Sequence, residues 1–343
     1  ALARSPKRIA VRFALLSARM FLGHMLLGGA SVSIHVVINR AARHLRGDTP
    51  LARTIRAAAT GATVYETAGL SDLDAAAKAV FEAKGSTVVL CGGDGSYMAG
   101  VTALRRAFGE RPLPKIALGP GGTVSTVARN WGMSGPLDTY AKRILRVAIE
   151  GDGHTVLRPT MRVRDDGGGD RIGFIFGAGL VAQFFDVYDS SAEQGYSGAA
   201  KIVARIFGGS FVGGALAKKV LAPVPCTLNV DGKNAPANAY SLIVASVVRD
   251  LGLHMQVLYR AGEDHARVHL VASALGPFSL GPQLPLVIAG KRLRGRDHVD
   301  ALARSFRVTF ENPSGYVLDG DVLHARQVDV EAGPELRLIQ LSA

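Results

Sequence analysis

The sequence has 343 residues, enough for two domains that each bury a hydrophobic core. Its hydrophobic content of 48% and charged content of 20% are typical of an ordered soluble protein and exclude a disordered chain. The 40 Lys plus Arg against 28 Asp plus Glu give a formal net charge of +12, which favours anionic partners such as nucleotides or an acidic membrane surface.

Two classes of site are not expected from the composition. The sequence has no zinc-finger spacing and no RNA-binding signature, so nucleic acid is not predicted as a partner. The cysteines, Cys91 and Cys226, are too few for a disulfide framework or a metal cluster. This cysteine usage indicates a reducing cytoplasm.

Residues 1–32 combine basic and apolar residues in the pattern of an amphipathic helix. Residues 20–39 contain no charged side chain and are long enough to span a bilayer, but Gly28 and Gly29 would interrupt such a span. Basic residues also interrupt the apolar stretch that a signal peptide needs. The segment is therefore predicted either to lie on a membrane surface or to be a helix that packs on its own domain or is partly disordered.

From residue 33 to 153, strand-type and helix-type segments alternate, which predicts a parallel sheet with helices on both faces. Ligands of such sheets bind at the carboxyl ends of the strands. The predicted strands are Ile34–Ile38, Thr63–Glu66, Thr87–Cys91 and Lys115–Leu118, and the predicted helices are Leu51–Ala59, Leu73–Ala83, Ser96–Phe108, Val124–Trp131 and Tyr140–Glu150.

The third predicted strand runs directly into the loop Gly92-Gly93-Asp94-Gly95-Ser96, which opens a helix. Glycines allow positive φ and a close approach of the backbone to a ligand, and the amino end of a helix favours phosphate. Asp94 would be repelled by phosphate unless Mg²⁺ bridges them or the side chain turns back to hold the loop. The stretch predicts a phosphate site, with a strand-to-helix turn capped by Asp94 as the plainer interpretation.

A second glycine loop, Gly119–Thr123, follows the next strand, with Thr123 as the predicted N-cap of the next helix. Both loops end at the same edge of the sheet, so we expect them to hold one triphosphate between them. The predicted nucleotide-binding residues are Asn39, Thr67, Gly92, Gly93, Asp94, Gly95, Ser96, Gly121, Gly122 and Thr123.

Residues 154–343 are predicted to form a mainly antiparallel β domain for a lipid substrate, with a helical insertion at about 180–220. Small, apolar and basic residues alternate in the insertion, which could face a lipid or be a surface helix pair. Residues 165–170 are predicted as a hairpin tip rather than a Ca²⁺ loop. The predicted strands include Thr155–Val163, Ile172–Phe176, Cys226–Val230, Tyr240–Val247, Met255–Tyr259, Val268–Val271, Phe306–Phe310 and Leu336–Ile339.

The glycine loops and a late Asp-Gly-Asp segment resemble motifs of the diacylglycerol kinase, sphingosine kinase and bacterial lipid kinase superfamily. Its GGDGT loop corresponds to residues 92–96, its PxGTxNxxAR segment to residues 120–129, and its DGE motif to Asp319-Gly320-Asp321. The resemblance implies an α/β nucleotide-binding domain followed by a β-sandwich domain. It also implies ATP and Mg²⁺ as cofactors and a lipid alcohol as substrate.

The sequence departs from the family pattern in several places. Ser96 replaces Thr, Asp321 replaces Glu, and Ser125 stands where the family has Asn. The loop that opens with Asn39 lacks the usual Pro and Gly. The family's magnesium-binding DDG aligns only with Glu263-Asp264-His265, which makes Asp264 a candidate metal ligand. Together with Asp94 and Asp319 it forms the predicted set of metal ligands.

The resemblance assigns Asp321 as the base that takes the proton of the attacking hydroxyl, with Asp319 as its partner and Asp94 on the metal. If the DGD segment is extended, residues 319 and 321 project to the same side. A DGD segment taken alone is more typical of a hairpin turn. Phosphofructokinases and NAD kinases share the glycine loop, but their other motifs are not found here.

The predicted function is an ATP- and Mg²⁺-dependent lipid kinase acting on a diacylglycerol, sphingoid base or ceramide type of hydroxyl. The alternative is a nucleotide-binding lipid sensor or transfer module with impaired catalysis. The expected location is the cytoplasm, at the inner surface of the membrane. The expected partners are the lipid substrate and an anionic membrane surface, and a homodimer is possible.

Overall fold

The computed structural model describes residues 33–191 and 195–341. The predicted amphipathic helix at residues 1–32 lies outside the described residues. Within the described ranges, no helix combines the length and the apolar character needed to cross a bilayer.

The first sheet is mostly parallel. Its strands are β1 (Ile34–Asn39), β2 (Thr63–Thr67), β3 (Thr87–Gly92), β4 (Lys115–Pro120), β5 (His154–Arg158) and β17 (Leu336–Gln340), in the order β2-β1-β3-β4-β17-β5. Only β17 against β5 is antiparallel, and these two strands come from beyond residue 153. The central strands β1 and β3 are buried on both faces, which explains their continuous apolar runs.

The helices of this half follow the strands as the alternating pattern predicts. The first helix packs against the fifth, and the second packs against the third. The helices are α1 (Pro50–Ala58), α2 (Leu70–Glu82), α3 (Asp94–Phe108), α4 (Thr126–Asn130) and α5 (Leu137–Glu150).

The second sheet is mainly antiparallel, with the path β14-β13-β12-β8-β15-β16-β6-β7 and with β9 paired to β15, β10 and β11. Its strands are β6 (Met161–Asp165), β7 (Asp170–Gly173), β8 (Ile175–Gly179), β9 (Val224–Val230), β10 (Lys233–Asn234), β11 (Ala239–Tyr240), β12 (Leu242–Ser246), β13 (Val268–Ser273), β14 (Val299–Ala303), β15 (Ser305–Leu318) and β16 (Asp321–Ala332). The predicted fold class is confirmed: an α/β part with a mostly parallel sheet precedes a mainly antiparallel part.

Helices interrupt the second sheet in two places. The first group lies where the helical insertion was predicted, and the second follows β13. They are α6 (Leu180–Asp189), α7 (Tyr196–Val212), α8 (Ala215–Val220), α9 (Pro277–Leu280), a 3₁₀ turn (Gly281–Gln283) and α10 (Leu284–Ile288).

Two predicted strands are wrong. Residues 255–259 form an irregular stretch followed by a turn, because Gly252, Leu253 and His254 have positive φ and turn the chain away from an extended path. The run 155–163 is divided at Pro159, which has no N–H for a ladder, and its halves join different sheets.

The two sheets share one continuous hydrophobic core. The ring of Trp131, just after α4, meets the edge of Phe174, between β7 and β8, at a centroid distance of 5.3 Å. The Thr102 hydroxyl on α3 accepts a hydrogen bond from the Ile172 N–H on β7 at 2.9 Å. These contacts fix β7 and the start of β8 against the α/β half.

Candidate active site

The first glycine loop is held from the neighbouring strand. The amide of Asn39, at the end of β1, donates to the Ser96 hydroxyl at 2.8 Å, and that hydroxyl accepts from the Gly93 N–H at 3.2 Å. The Asn39 side-chain oxygen accepts from the Ala41 N–H at 2.9 Å. Ser96 therefore keeps the hydroxyl function of the motif and ties two strand ends together.

The two glycine loops interlock through their backbones. The Gly122 N–H donates to the Gly92 carbonyl at 2.7 Å. A Cβ on Gly122 would lie 2.4 Å from the Gly93 Cα, and a Cβ on Gly121 would lie 2.9 Å from the Gly92 Cα. The loops are in contact here and both also line the cavity described below, so their joint role in holding a triphosphate stays a prediction.

The physical reason for these glycines differs from the prediction. Gly92, Gly93, Gly95, Gly121 and Gly122 are not among the residues with positive φ. They are required because any Cβ would meet the opposite loop, the Ser96 side chain or an aspartate. Close packing, rather than backbone conformation, therefore selects glycine here.

A buried tyrosine strengthens this contact and was not singled out from the sequence. The Tyr97 hydroxyl donates to the Gly119 carbonyl at 2.8 Å and lies 3.1 Å from the Gly92 carbonyl. The ring is fully buried, and burial raises the pKa of Tyr97 well above its ordinary value. The sequence feature that could have pointed to Tyr97 is its position directly after the first glycine loop.

Asp94 turns back to hold the second loop, which is one of the two roles that the sequence left open. Its carboxylate oxygens accept from the N–H groups of Thr126 at 2.7 Å and Val127 at 2.9 Å, the first residues of α4. Burial raises the pKa of Asp94, and the two backbone donors oppose that shift. Asp94 thus caps a helix that begins 32 positions later in the chain.

The predicted N-cap Thr123 is wrong. Helix α4 begins at Thr126, and its N-cap residue is Ser125, which adopts the left-handed conformation with φ 53° and ψ 52°. The Ser125 side chain does not cap the helix, because the Asp94 carboxylate already satisfies the first N–H groups. Thr123 instead lines the cavity described below.

Asp319 and Gly320 form the tight turn of the β15–β16 hairpin. Leu318 pairs with Asp321 across it, and φ is positive at both turn residues, 51° and 95°. These angles match the type I′ turn that Asp-Gly favours. The segment is not extended, so residues 319 and 321 do not project side by side.

The Asp319 side chain is directed into the protein. Its two oxygens accept from the N–H groups of Phe174 and Ile175, each at 2.9 Å. Burial raises the pKa of Asp319 far above its ordinary value, and the nearby charge of Asp94 raises it further. Asp319 therefore joins the hairpin to the start of β8.

Asp321 is the exposed member of the three aspartates. Its carboxylate lines the cavity beside the first loop, and a Cβ on Gly95 would lie 3.2 Å from its Oδ1 atom. Partial burial raises the pKa of Asp321, while the positive charge of Arg171 lowers it. Within residues 33–191 and 195–341, no hydrogen-bond donor to this carboxylate is found.

The cavity has a volume of 370 Å³ and lies at the carboxyl ends of β1, β2 and β3. Apolar side chains, polar side chains and loop backbone all line it. Arg43, which the sequence did not single out, supplies a cation. The apolar lining residues include Val37, Leu70, Leu73, Leu90 and Ala99, and the other lining residues include Asn39, Arg43, Thr67, Gly93, Gly95, Ser96, Gly122, Thr123 and Asp321.

Asp264 is not brought to these loops. It accepts a hydrogen bond from the Ala266 N–H at 2.9 Å and pairs with Arg267 at 3.2 Å. In the described part of the chain, no group of three or more His, Cys, Asp or Glu side chains is arranged to hold a metal ion. The expected set of Asp94, Asp264 and Asp319 is therefore not assembled as metal ligands.

Comparisons with known proteins agree with the sequence motifs. Residues 33–154 match the diacylglycerol kinase catalytic domain. Three structures of candidate or named diacylglycerol kinases from Bacillus anthracis str. Sterne have TM-scores of 0.64, 0.62 and 0.57 at 15%, 16% and 15% identity. Each alignment covers 90% of this chain, and 96%, 97% and 96% of the respective relatives. No curated protein matches the sequence.

At these identities the structural similarity shows a common fold. The match over residues 33–154 adds the catalytic domain and supports a kinase, that is, a phosphotransferase. The resemblance to the diacylglycerol kinase superfamily, first given by the motifs, is confirmed.

Proposed function

We propose that this chain, whose residues 33–154 match the diacylglycerol kinase catalytic domain, transfers the γ-phosphate of ATP to the hydroxyl of a lipid in the presence of Mg²⁺. The observation that carries the proposal is the position of Asp321. It comes from the second sheet, yet its carboxylate lines the same cavity as Gly93, Gly95 and Ser96. This position supports a role for Asp321 as the base beside a phosphate site at the first glycine loop.

The cavity suits a nucleotide. Its volume lies within the usual range for small-molecule sites, roughly 300 to 1,000 Å³. The apolar lining residues offer a surface for a base, and the first-turn N–H groups of α3 favour phosphate oxygens. Arg43 adds a positive charge to the lining.

In the proposed reaction, Asp321 removes the proton from the lipid hydroxyl as its oxygen attacks the γ-phosphorus. The bond between that phosphorus and the bridging oxygen breaks, and ADP leaves. The raised pKa of Asp321 makes it a stronger base than a fully solvated carboxylate. Asp94 and Asp319 hold the loops and the hairpin in place, since all their oxygens accept backbone N–H groups.

Mg²⁺ fits this donor set as an ion that arrives with ATP. Magnesium is usually bound by phosphates, water and one or two carboxylates rather than by a protein cage. Each oxygen of Asp94 retains a lone pair beyond its backbone hydrogen bond, but Asp94 is not among the residues that line the cavity, so it would hold the ion through water rather than directly. The ion would neutralise charge on the transferred phosphate.

An apolar acceptor is supported by helix α6, which follows β8 directly. Its half-buried side chains include Val181, Phe184, Phe185 and Tyr188, with the rings of Phe184 and Tyr188 stacked at 6.1 Å. Strand β8 begins beside Asp319, so α6 starts about 15 Å from the hairpin turn. An acyl chain extending from α6 toward the hairpin turn, over that distance, would place its polar end near Asp321.

Transfer from labelled ATP to a panel of lipids tests this function. The purified chain is incubated with Mg²⁺ and with diacylglycerol, monoacylglycerol, a sphingoid base or ceramide in detergent micelles, and the lipid extract is analysed for label. We expect label in at least one lipid class and none with the Asp321→Asn variant. ATP binding without transfer to any of these lipids would favour the nucleotide-binding sensor or transfer module.

A further inference from the structure

Exposed apolar side chains from the helical insertion and from the helical group after β13 lie together at one tip. Phe211 and Val212, at the end of α7, are 67% and 83% exposed, and Phe278 on α9 is 59% exposed. A Cβ on Gly213 would lie 3.1 Å from the Phe278 ring and 3.3 Å from the Lys218 side chain. We call Phe211, Val212, Phe278, Lys218 and Lys219 the insertion tip.

The tip is held by a tight corner between α7 and α8. The Gly214 N–H donates to the Gly209 carbonyl at 2.8 Å, and a Cβ on Gly214 would lie 3.3 Å from the Gly209 Cα. Ser210 is fully buried against Gly281 of the 3₁₀ turn. Because the residues on either side are fixed, Phe211 and Val212 are directed outward by the fold.

The charge around the tip is of one sign. Residues 195–230 contain four basic residues and no Asp or Glu. Lys218 and Lys219 are exposed, and neither forms an ion pair with a carboxylate of the described residues. Arg294 is also exposed, and its backbone joins Gln283 at the end of the 3₁₀ turn through bonds of 2.6 and 2.7 Å.

We propose that the insertion tip docks on an anionic lipid bilayer, with Phe211, Val212 and Phe278 entering the interface and Lys218 and Lys219 facing the headgroups. Exposed apolar side chains beside lysines are the composition that binds at such an interface. A soluble anionic partner would use the lysines but not the exposed aromatic rings. The proposal extends the proposed function by giving the surface that brings the protein to its lipid.

Helix α7 connects this surface to the nucleotide cavity. A Cβ on Gly195, just before the helix, would lie 3.4 Å from Nη1 of the cavity residue Arg43. The 17 residues of α7 span about 25 Å, so the tip and the cavity rim lie at opposite ends of one helix. Docking at the tip therefore does not require the cavity rim itself to contact the bilayer.

Vesicle sedimentation of the full chain, without ATP, tests the proposal. Vesicles contain phosphatidylcholine alone or equal parts of phosphatidylcholine and phosphatidylglycerol. The wild type is expected to bind the anionic vesicles, and Lys218→Gln with Lys219→Gln is expected to weaken that binding by about tenfold or more. The triple change Phe211→Ser, Val212→Ser and Phe278→Ser is expected to weaken it by about tenfold or more as well.

Matched control variants remove charged or apolar side chains at exposed positions away from the insertion tip. Lys142→Gln with Arg143→Gln removes two exposed charges from α5, and Leu157→Ser removes an exposed apolar side chain from β5. Both controls should bind as the wild type. Binding that is unchanged in the tip variants, or equally reduced in the controls, overturns the proposal.

A second copy of the chain is the competing occupant of the tip. Sedimentation velocity that shows a dimer lost in the triple variant, with vesicle affinity unchanged, would also overturn the proposal. Transfer to lipid in detergent micelles should be unaffected by the tip changes. If neither the wild type nor any variant transfers phosphate to lipid in micelles, the proposed kinase function is contradicted. The vesicle experiment still decides whether the tip docks on a bilayer.

Discussion

The two glycine loops and the Asp319–Asp321 turn border the same cavity, but they are built for different tasks. In the glycine loops the Gly92 carbonyl, the Ser96 hydroxyl and both oxygens of Asp94 have partners within the protein. In the turn, Asp319 is equally satisfied, while Asp321 faces the cavity without a protein donor among the described residues. The comparison separates residues that fix the site from the one that is available for chemistry.

The pKa directions support the same division. Burial raises the pKa of all three aspartates, but only Asp94 and Asp319 are offset by pairs of backbone N–H groups. Arg171 is the group that lowers the pKa of Asp321. A substitution at Asp321 should therefore change catalysis, whereas substitutions in the interlocked loops should first change stability.

The largest effect is expected from Asp321→Asn. The change keeps the size of the side chain but removes the basic carboxylate, so turnover should fall by roughly 10² to 10⁴-fold, as for other positioned bases. Because Asp321 does not hold the fold, the melting temperature and the ATP affinity should stay at wild-type values. Steady-state kinetics, calorimetric ATP titration and thermal melting measure the three quantities.

Asp321→Glu is the matched control, since it restores the carboxylate of the family motif one methylene further out. It should retain substantial activity. An Asn variant as active as the parent, or one that loses ATP affinity in parallel with turnover, contradicts the assignment of the base to Asp321.

Gly122→Ala should break the contact between the glycine loops. The new Cβ would lie 2.4 Å from the Gly93 Cα, and backbone on both sides cannot yield without movement of a loop. We expect the free energy of unfolding to fall by about 1 to 3 kcal/mol and ATP affinity to fall with it. Chemical denaturation and ATP titration check both effects.

Gly208→Ala is the control for this change. Gly208 lies within α7, and nothing lies within 4 Å of its added Cβ. The substitution should leave ATP affinity unchanged and raise stability by roughly 0.5 to 1 kcal/mol, because alanine is the better helix former. Equal behaviour of the two alanine variants would show that the loops do not need their close contact.

Asp94→Asn distinguishes the helix cap from a metal ligand. An amide offers one acceptor oxygen to the N–H groups of Thr126 and Val127, so one donor loses its partner and stability should fall by about 1 to 3 kcal/mol. Asp72→Asn is the control, because the Asp72 carboxylate accepts a hydrogen bond from one N–H group, that of Ala68, and the amide oxygen of Asn can still accept it. Denaturation curves of both variants without Mg²⁺ give the comparison.

If Asp94→Asn keeps full stability but loses turnover, its main role is on the ion rather than on α4. If stability and turnover fall together, activity measured well below the melting temperature separates the two causes. The Asp321→Asn variant provides the reference, since its stability should not change.

The glycine loops could be predicted because their signal is local. A buried strand, a glycine turn and a helix follow one another within residues 88–107, and the alternating segments before them fix the parallel sheet. The helical insertion and the hairpin tip at residues 165–170 were found in the same way. Their boundaries moved by only a few residues in the structure.

What the sequence did not show are contacts between distant segments. The N–H groups that Asp94 caps lie 32 and 33 positions away, and the Gly122–Gly93 contact depends on how two loops pack. The position of Asp321 at the cavity was expected only from the family resemblance. The turn at 252–254, which removed a predicted strand, depends on positive φ at two non-glycine residues.

The smallest effect is expected at Ser125, where this chain departs from the family's Asn. Ser125 is buried and does not line the cavity, so the departure acts on the backbone, which is held at φ 53°. A side chain other than glycine in this left-handed conformation costs about 1 kcal/mol, and asparagine tolerates it better than most. Ser125→Gly should therefore be more stable than Ser125→Ala by about 1 kcal/mol, since both lack the hydroxyl and differ only in the Cβ atom. The opposite order is expected at Ala128 within α4, where Ala128→Gly should lower stability, because glycine is the poorer residue in a right-handed helix.

Thermal melting of the four proteins, including the wild type, measures both differences. A glycine variant at 125 that is less stable than the alanine variant would mean that the left-handed backbone is not what this position selects. Ser125→Asn then sharpens the comparison of the two regions, because a gain in stability without a gain in turnover would place this departure with the loops that hold the site and not with the aspartate that acts in it.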